Sequence, residues 1–234
     1  MKQSFILAGL IAIVSGCASV DPVWVSPAMP PMDLSPNKPY SALDTNAQRG
    51  VLEDELRVIG KALQAYATDH NGALPPKLTT LVEKKYLSAS ALISSADPSQ
   101  GQEGGVPDLY TTWEQAKATD ESGSSYLYEF SAAPCGWDWK TYIAGDPTPE
   151  KMDANKDGIV SWAEVKSWQM AHGDTVQQPQ GGYPKSAFPV VRCFWYKYPE
   201  VYTEDAAESV VLNLAVDLRT VFASHAWWEK DFNK

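Results

Sequence analysis

Histidine and cysteine are scarce in this chain, with three of each in 234 residues. His70, His172 and His225 stand in unrelated contexts. None belongs to a motif that zinc or acyl-transfer chemistry would need. The cysteines, at 17, 135 and 193, have neither the CxxC spacing of a redox pair nor that of a zinc knuckle. A nucleophile elbow, a zinc-protease helix and a glycine-rich phosphate loop are all missing. The expectation is therefore a protein that is not an enzyme. Paired acids such as Asp217 with Glu229 leave a hydrolase as the last-ranked alternative. Basic charge is also short: 19 Lys and Arg against 29 Asp and Glu give a formal net charge of −10. Phosphate backbones need a basic face, which argues against nucleic acid as a partner. An acidic surface suits divalent cations instead.

Long hydrophobic runs are missing too. The N-terminal apolar stretch covers only residues 5–14 after Lys2. It is too short to span a bilayer as a mature helix and reads as an export signal. "VSGCAS" follows, with small residues directly before Cys17, and resembles the lipobox of bacterial lipoproteins. The resemblance implies removal of residues 1–16 and acylation of Cys17. Ala18, where an Asp would retain the protein at the inner membrane, implies the outer membrane. The alternative is an ordinary signal peptide with a chance cysteine. Residues 17–43 carry prolines at 22, 27, 30, 31, 36 and 39 and read as an extended tether. With Cys17 acylated, Cys135 and Cys193 remain. In an oxidising compartment they are expected to form one disulfide, the alternative being two buried free thiols.

What the chain has in quantity is apolar and aromatic surface: 44% hydrophobic residues, with nine Trp and eleven Tyr. That is enough for a core over residues 44–234. Leu52, Leu56, Ile59, Leu63 and Tyr66 recur at helical spacing, with Asp44 or Asn46 as cap and Gly72 as terminator. A short helix holding Leu78, Leu81 and Val82 follows the Pro75-Pro76 break. One helical turn is expected within 113–118. Residues 124–130, 188–196 and 209–216 read as strands, and 220–223 pairs back across a short turn. This order predicts an α+β fold rather than alternating βαβ units.

The stretch "LRVIGKALQAYATDHNGALPPKLTTLVEKKYL" resembles type II secretion pseudopilins and related pilin-like proteins. The Asp-Pro turn "ADPSQ", the strand "SSYLYEF" and the closing "PVVRCFWY … VVLNLAVDLRTVF" are similar to theirs. The resemblance implies an N-terminal helix packed on a small antiparallel sheet. The chain departs from that family in having a short export signal and tether where a pilin has its long assembly helix.

"DANKDGIVSWAE", from Asp153 to Glu164, carries the strongest signal. An EF-hand calcium loop needs oxygens at positions 1, 3, 5, 9 and 12, a backbone carbonyl at 7 and glycine at 6. Asp153, Asn155, Asp157, Ser161 and Glu164 supply the side chains, Ile159 the carbonyl and Gly158 the turn. Val160 at position 8 suits a short strand. The alternative is a polar surface turn. Trp162 to about Met170 gives a good exiting helix, but Gly145, Pro147 and Pro149 allow barely one turn on entry. The loop lies in an insertion at about 144–184. No second loop of this pattern is present, so a structural Ca2+ is expected, with affinity of roughly 10⁻⁵ to 10⁻³ M. The expected role is a structural or interaction protein of the bacterial envelope, held at the membrane by lipid, with an envelope protein of a secretion or pilus-like system as partner. The alternative is a glycan- or peptide-binding module using Trp137, Trp139, Trp162, Trp168 and Trp195, whose plainer role is packing.

Overall fold

A computed structural model of the chain describes residues 40–106, 123–179, 181–198 and 208–233, all within one compact unit, Asp33–Lys234. The expected export signal, Cys17, all but the last residues of the expected tether and the helical turn expected at 113–118 lie outside the described residues.

Helix α1 (Thr45–Asp69) starts where Asp44 caps it, its carboxylate accepting from the amides of Asn46 and Ala47 at 3.0 and 2.9 Å. Leu52, Leu56, Ile59 and Leu63 share one face and are fully buried. The solvated face carries Arg49–Glu53–Arg57–Asp54 ion pairs, each worth about 0.3–0.5 kcal/mol. Gly72 terminates the helix at φ +86, its amide donating to the carbonyl of Ala67 at 2.7 Å. A short helix α2 (Thr80–Glu83) brings Leu81 into the same core.

Four strands follow, β1 (Leu127–Tyr128), β2 (Pro189–Cys193), β3 (Val210–Ala215) and β4 (Val221–His225), forming one antiparallel sheet in the order β1-β2-β3-β4. The fold is α+β. Side chains alternate across the sheet. Tyr128, Leu212 and Leu214 face the α1 core, while Leu127 and Val211 join Val106, Phe194 and Ala226 on the opposite face. A register shift between Pro189 and Val191 lets Val190 and Val191 both enter the α1 core. Gly60 is needed where α1 crosses the β3–β4 turn, because a Cβ there would lie 2.7 Å from the Leu218 carbonyl.

The β1 ladder is shorter than the expected strand at 124–130. Ser124 and Ser125 are drawn into side-chain bonds, with Ser125 Oγ donating to Asp97 at 2.6 Å.

The expected disulfide is not formed. Cys135 and Cys193 are both free. The pairing Leu127↔Arg192 and Tyr128↔Val191 runs antiparallel. It sets Cys193 opposite the residue preceding Leu127, whereas Cys135 lies beyond the other end of the ladder. Cys193 is enclosed in the α1 core near Ser94, and Cys135 packs on a separate cluster.

That cluster belongs to the connection from β1 to β2. It consists of Trp139, Ile143, Met152 and Val165, with Cys135, Trp137, Val160 and Trp168 packed around it. Two helices serve it, α3 (Pro149–Met152) and α4 (Trp162–His172).

Candidate functional site

The segment joining α3 to α4 holds five of the six residues singled out from sequence, and the sixth, Glu164, lies in the first turn of α4. Helix α3 is a single turn, started by Thr148 with Pro149 at its first position. Helix α4 starts from a reciprocal capping box. Ser161 Oγ accepts the Glu164 amide at 3.3 Å, and Glu164 Oε2 accepts the Ser161 amide at 2.9 Å.

Between these ends the loop folds around Asp153. Its Oδ1 accepts the Asp157 amide at 3.1 Å and its Oδ2 the Gly158 amide at 2.9 Å. Asn155 Oδ1 also accepts the Asp157 amide, at 3.0 Å, and its Nδ2 donates to Asp157 Oδ2 at 2.9 Å. Asp157 Oδ1 accepts the Ile159 amide at 2.8 Å. Glu164 Oε1 reaches back across the loop to accept the Ala154 amide at 2.9 Å. The last residue of the pattern is thereby tied to the second. Lys156 and Gly158 take φ of +59 and +84. A Cβ on Gly158 would meet nothing within 4 Å. Glycine is required there by backbone conformation, not by space.

Asp153, Asn155 and Asp157 thus form one hydrogen-bonded group, Ser161 and Glu164 a second, and Ala154 joins them. Ile159 lies between and is 48% exposed. As they stand, no three His, Cys, Asp or Glu side chains among the described residues are gathered closely enough to hold a metal ion. The three carboxylates of the loop face its own amides instead. The residues present are nonetheless hard oxygen donors in a loop open to solvent, a donor set that fits calcium.

Sequence reasoning did not identify what the loop leans on. Residues 131–135 run antiparallel beside it, outside the four strands of the sheet. Cys135 donates its amide to the Val160 carbonyl at 2.9 Å, Trp162 to Ala133 at 3.0 Å and Ala163 to Ser131 at 2.9 Å, around a bridge between Pro134 and Ser161. Just upstream, Glu129 forms a buried ion cluster. Lys166 of α4 lies 3.2 Å from its Oε2, and Arg192 of β2 lies 3.2 Å from its Oε1. Arg192 also donates to Asn213 Oδ1 at 2.9 Å and to the Ala226 carbonyl at 2.6 Å. Burial pushes the Glu129 carboxyl up, but Lys166 and Arg192 outweigh it and leave the group below its usual 4.5. Glu229, which accepts from Gln169 at 3.2 Å, is raised by burial despite the same two cations. The available signal was a charged residue inside each of two apolar strands, "YLYEF" and "PVVRCFW".

The other candidates make packing and hydrogen-bond contacts within the body. His70 stacks on Tyr66 and His172 on Trp168, at 3.8 and 4.1 Å between ring centroids. His225 bonds Asp231 at 2.7 Å. Trp139, Trp162 and Trp195 are buried, and Trp168 donates to the Ala144 carbonyl at 3.0 Å. Asp217 caps the β3–β4 turn through the Arg219 and Thr220 amides, while Glu229 faces Gln169.

Compared with family models, curated proteins and solved structures, the chain matches none.

Proposed function

We propose that the protein is a calcium-binding lipoprotein of the bacterial envelope, with a structural or interaction role and no catalytic activity of its own. The loop Asp153–Glu164 carries this reading. It has the full oxygen pattern of an EF-hand, with a left-handed glycine at the sixth position and an Asp153 carboxylate already accepting the amides of the fifth and sixth residues. Asp153, Asn155, Asp157, Ser161 and Glu164, with the Ile159 carbonyl, would hold the ion. Calcium would neutralise carboxylates that repel one another when ionised side by side. Conversion to the bound form requires the Glu164 carboxylate to exchange amide partners for the metal while α4 keeps its start.

The body fits a pilin-like domain, since a long N-terminal helix packs on an antiparallel sheet. The short export signal and Cys17 fit lipid anchoring to the outer membrane, with an envelope protein as partner. A melting curve recorded with and without millimolar calcium tests the reading. Binding to the folded state raises stability by RT ln(1 + [L]/Kd), about 2.7 kcal/mol at a hundredfold excess over Kd. An identical curve at both conditions would contradict it.

A further inference from the structure

A single calcium loop lacks the second loop that would normally steady its short central strand. In this chain, something else occupies that place. The Val160 carbonyl, at the eighth loop position, is bonded by the amide of Cys135, and the amides of Trp162 and Ala163 return to Ala133 and Ser131. The partner segment, 131–135, follows β1 after a turn at 129–130, where Glu129 bonds the Val190 carbonyl through its amide at 3.0 Å. Both ends of the arrangement are fixed independently. The Lys166–Glu129–Arg192 cluster ties α4 to β1 and β2, and all three side chains are at most 7% exposed.

We infer that residues 131–135 are the second strand of the calcium site, and that they pass its occupancy on to the edge of the sheet. The inference rests on the calcium reading above. The physical argument is reciprocal. When Glu164 moves from the Ala154 amide to a metal ion, α4 and the Val160–Ala163 backbone must settle into the bound geometry. The strand hydrogen-bonded to that backbone is either matched to the geometry or strained by it. Because the pairing is built from three backbone bonds and one buried ion cluster, it favours one geometry over its neighbours. Where the favoured geometry is the bound one, binding holds the paired 131–135 more tightly, and that pairing strengthens binding. Cys135 and Ala133 act as positioning residues through their backbone, without touching the ion.

The test uses the full chain with calcium alone as probe. Calorimetric titration reads binding, while peptide-resolved hydrogen exchange and Cys135 alkylation read the strand. We expect calcium to slow exchange at Cys135 and alkylation of its thiol by about tenfold, within the usual range of coupling between sites, with Cys193 labelling unchanged. Heat of binding with protection confined to 153–164 would overturn the inference and leave the calcium reading intact. No binding at millimolar calcium would overturn both. The reciprocal variant is Cys135→Pro, which deletes the amide donated to Val160. It should weaken calcium affinity by about tenfold, and unchanged affinity would overturn the inference. Should that variant fail to fold, exchange and alkylation of the unaltered chain still decide the matter.

Discussion

The Cys135 amide and the Val160 carbonyl are 2.9 Å apart and join two segments 25 positions apart in sequence. Through this bond the proposed calcium loop is attached to the sheet by backbone, not only by side-chain packing. Lys166 and Glu129 add a buried ion pair at 3.2 Å between the same two segments. The loop is therefore part of the folded body's own architecture, and changes in either should be felt in the other.

The ion cluster makes a prediction about pH. Glu129 has a folded-state value below its usual 4.5. Its stabilising contribution is present above the unfolded value and is lost as pH falls through the folded one. Glu229 has the opposite sign. Its folded value is raised, so stability falls as pH climbs from 4.5 toward that value. Glu229→Gln keeps an acceptor for Gln169 and should raise or preserve the melting temperature at pH 7. A pH series of melts checks both. A marked loss of stability in Glu229→Gln at pH 7 would contradict the assignment.

Breaking the cluster from one side should be costly. Lys166→Met removes a buried partner of Glu129 and leaves Arg192 alone to balance it. Losing one member of a buried pair costs about 3–5 kcal/mol, somewhat less here because Arg192 remains. Urea denaturation would register this as a lower midpoint. A midpoint equal to that of the parent would mean that the cluster contributes nothing.

The free thiols make a third prediction. Reductant should leave the melting temperature unchanged, whereas loss of a native disulfide removes about 2–5 kcal/mol. Burial pushes the Cys135 thiol up to about 11 and the Cys193 thiol to about 12, so both should alkylate slowly at neutral pH, at rates that are still measurable over long labelling times. Mass spectrometry finding a Cys135–Cys193 crosslink in the protein purified without reductant would contradict this.

Gly158→Ala isolates the turn. Space is available for the methyl group, so any effect comes from holding alanine at φ +84. The strain is about 1–2 kcal/mol, which should loosen the unbound loop and, as far as the free loop relaxes to escape it, weaken calcium binding by up to about tenfold with the sheet still folded. Circular dichroism and a calcium titration separate the two effects.

Cys17→Ser addresses the anchor. Under the proposed anchoring, acylation of Cys17 would supply the membrane affinity, so the variant should appear in the soluble periplasmic fraction or stay unprocessed. A correctly processed variant that still needs detergent for release would contradict lipid anchoring.

Helix α1 was legible because its information is local: five apolar residues at helical spacing, an Asp before them and a Gly after. The strands were legible in position but not in length, since Ser124 and Ser125 look like strand residues until Asp97, distant in sequence, claims Ser125. The cysteine pairing was not legible. It depends on the β1–β2 register, and a plausible loop closure says nothing about which strand ends meet. The proposed ligand pattern from Asp153 to Glu164 stands out because its spacing lies within twelve residues. The segment that supports the loop was not legible. "SAAPC" has a proline and small side chains where strand signals would be, and it pairs only because Val160 is there to receive it.

Isothermal titration of the full chain with calcium, beside Glu164→Gln, bears most directly on the proposed calcium site. One ion per chain should bind at micromolar to millimolar Kd, and Glu164→Gln should lose most of that affinity while its far-UV spectrum is unchanged. No heat of binding at millimolar calcium, or equal binding by the variant, would return the segment to a polar turn on the surface.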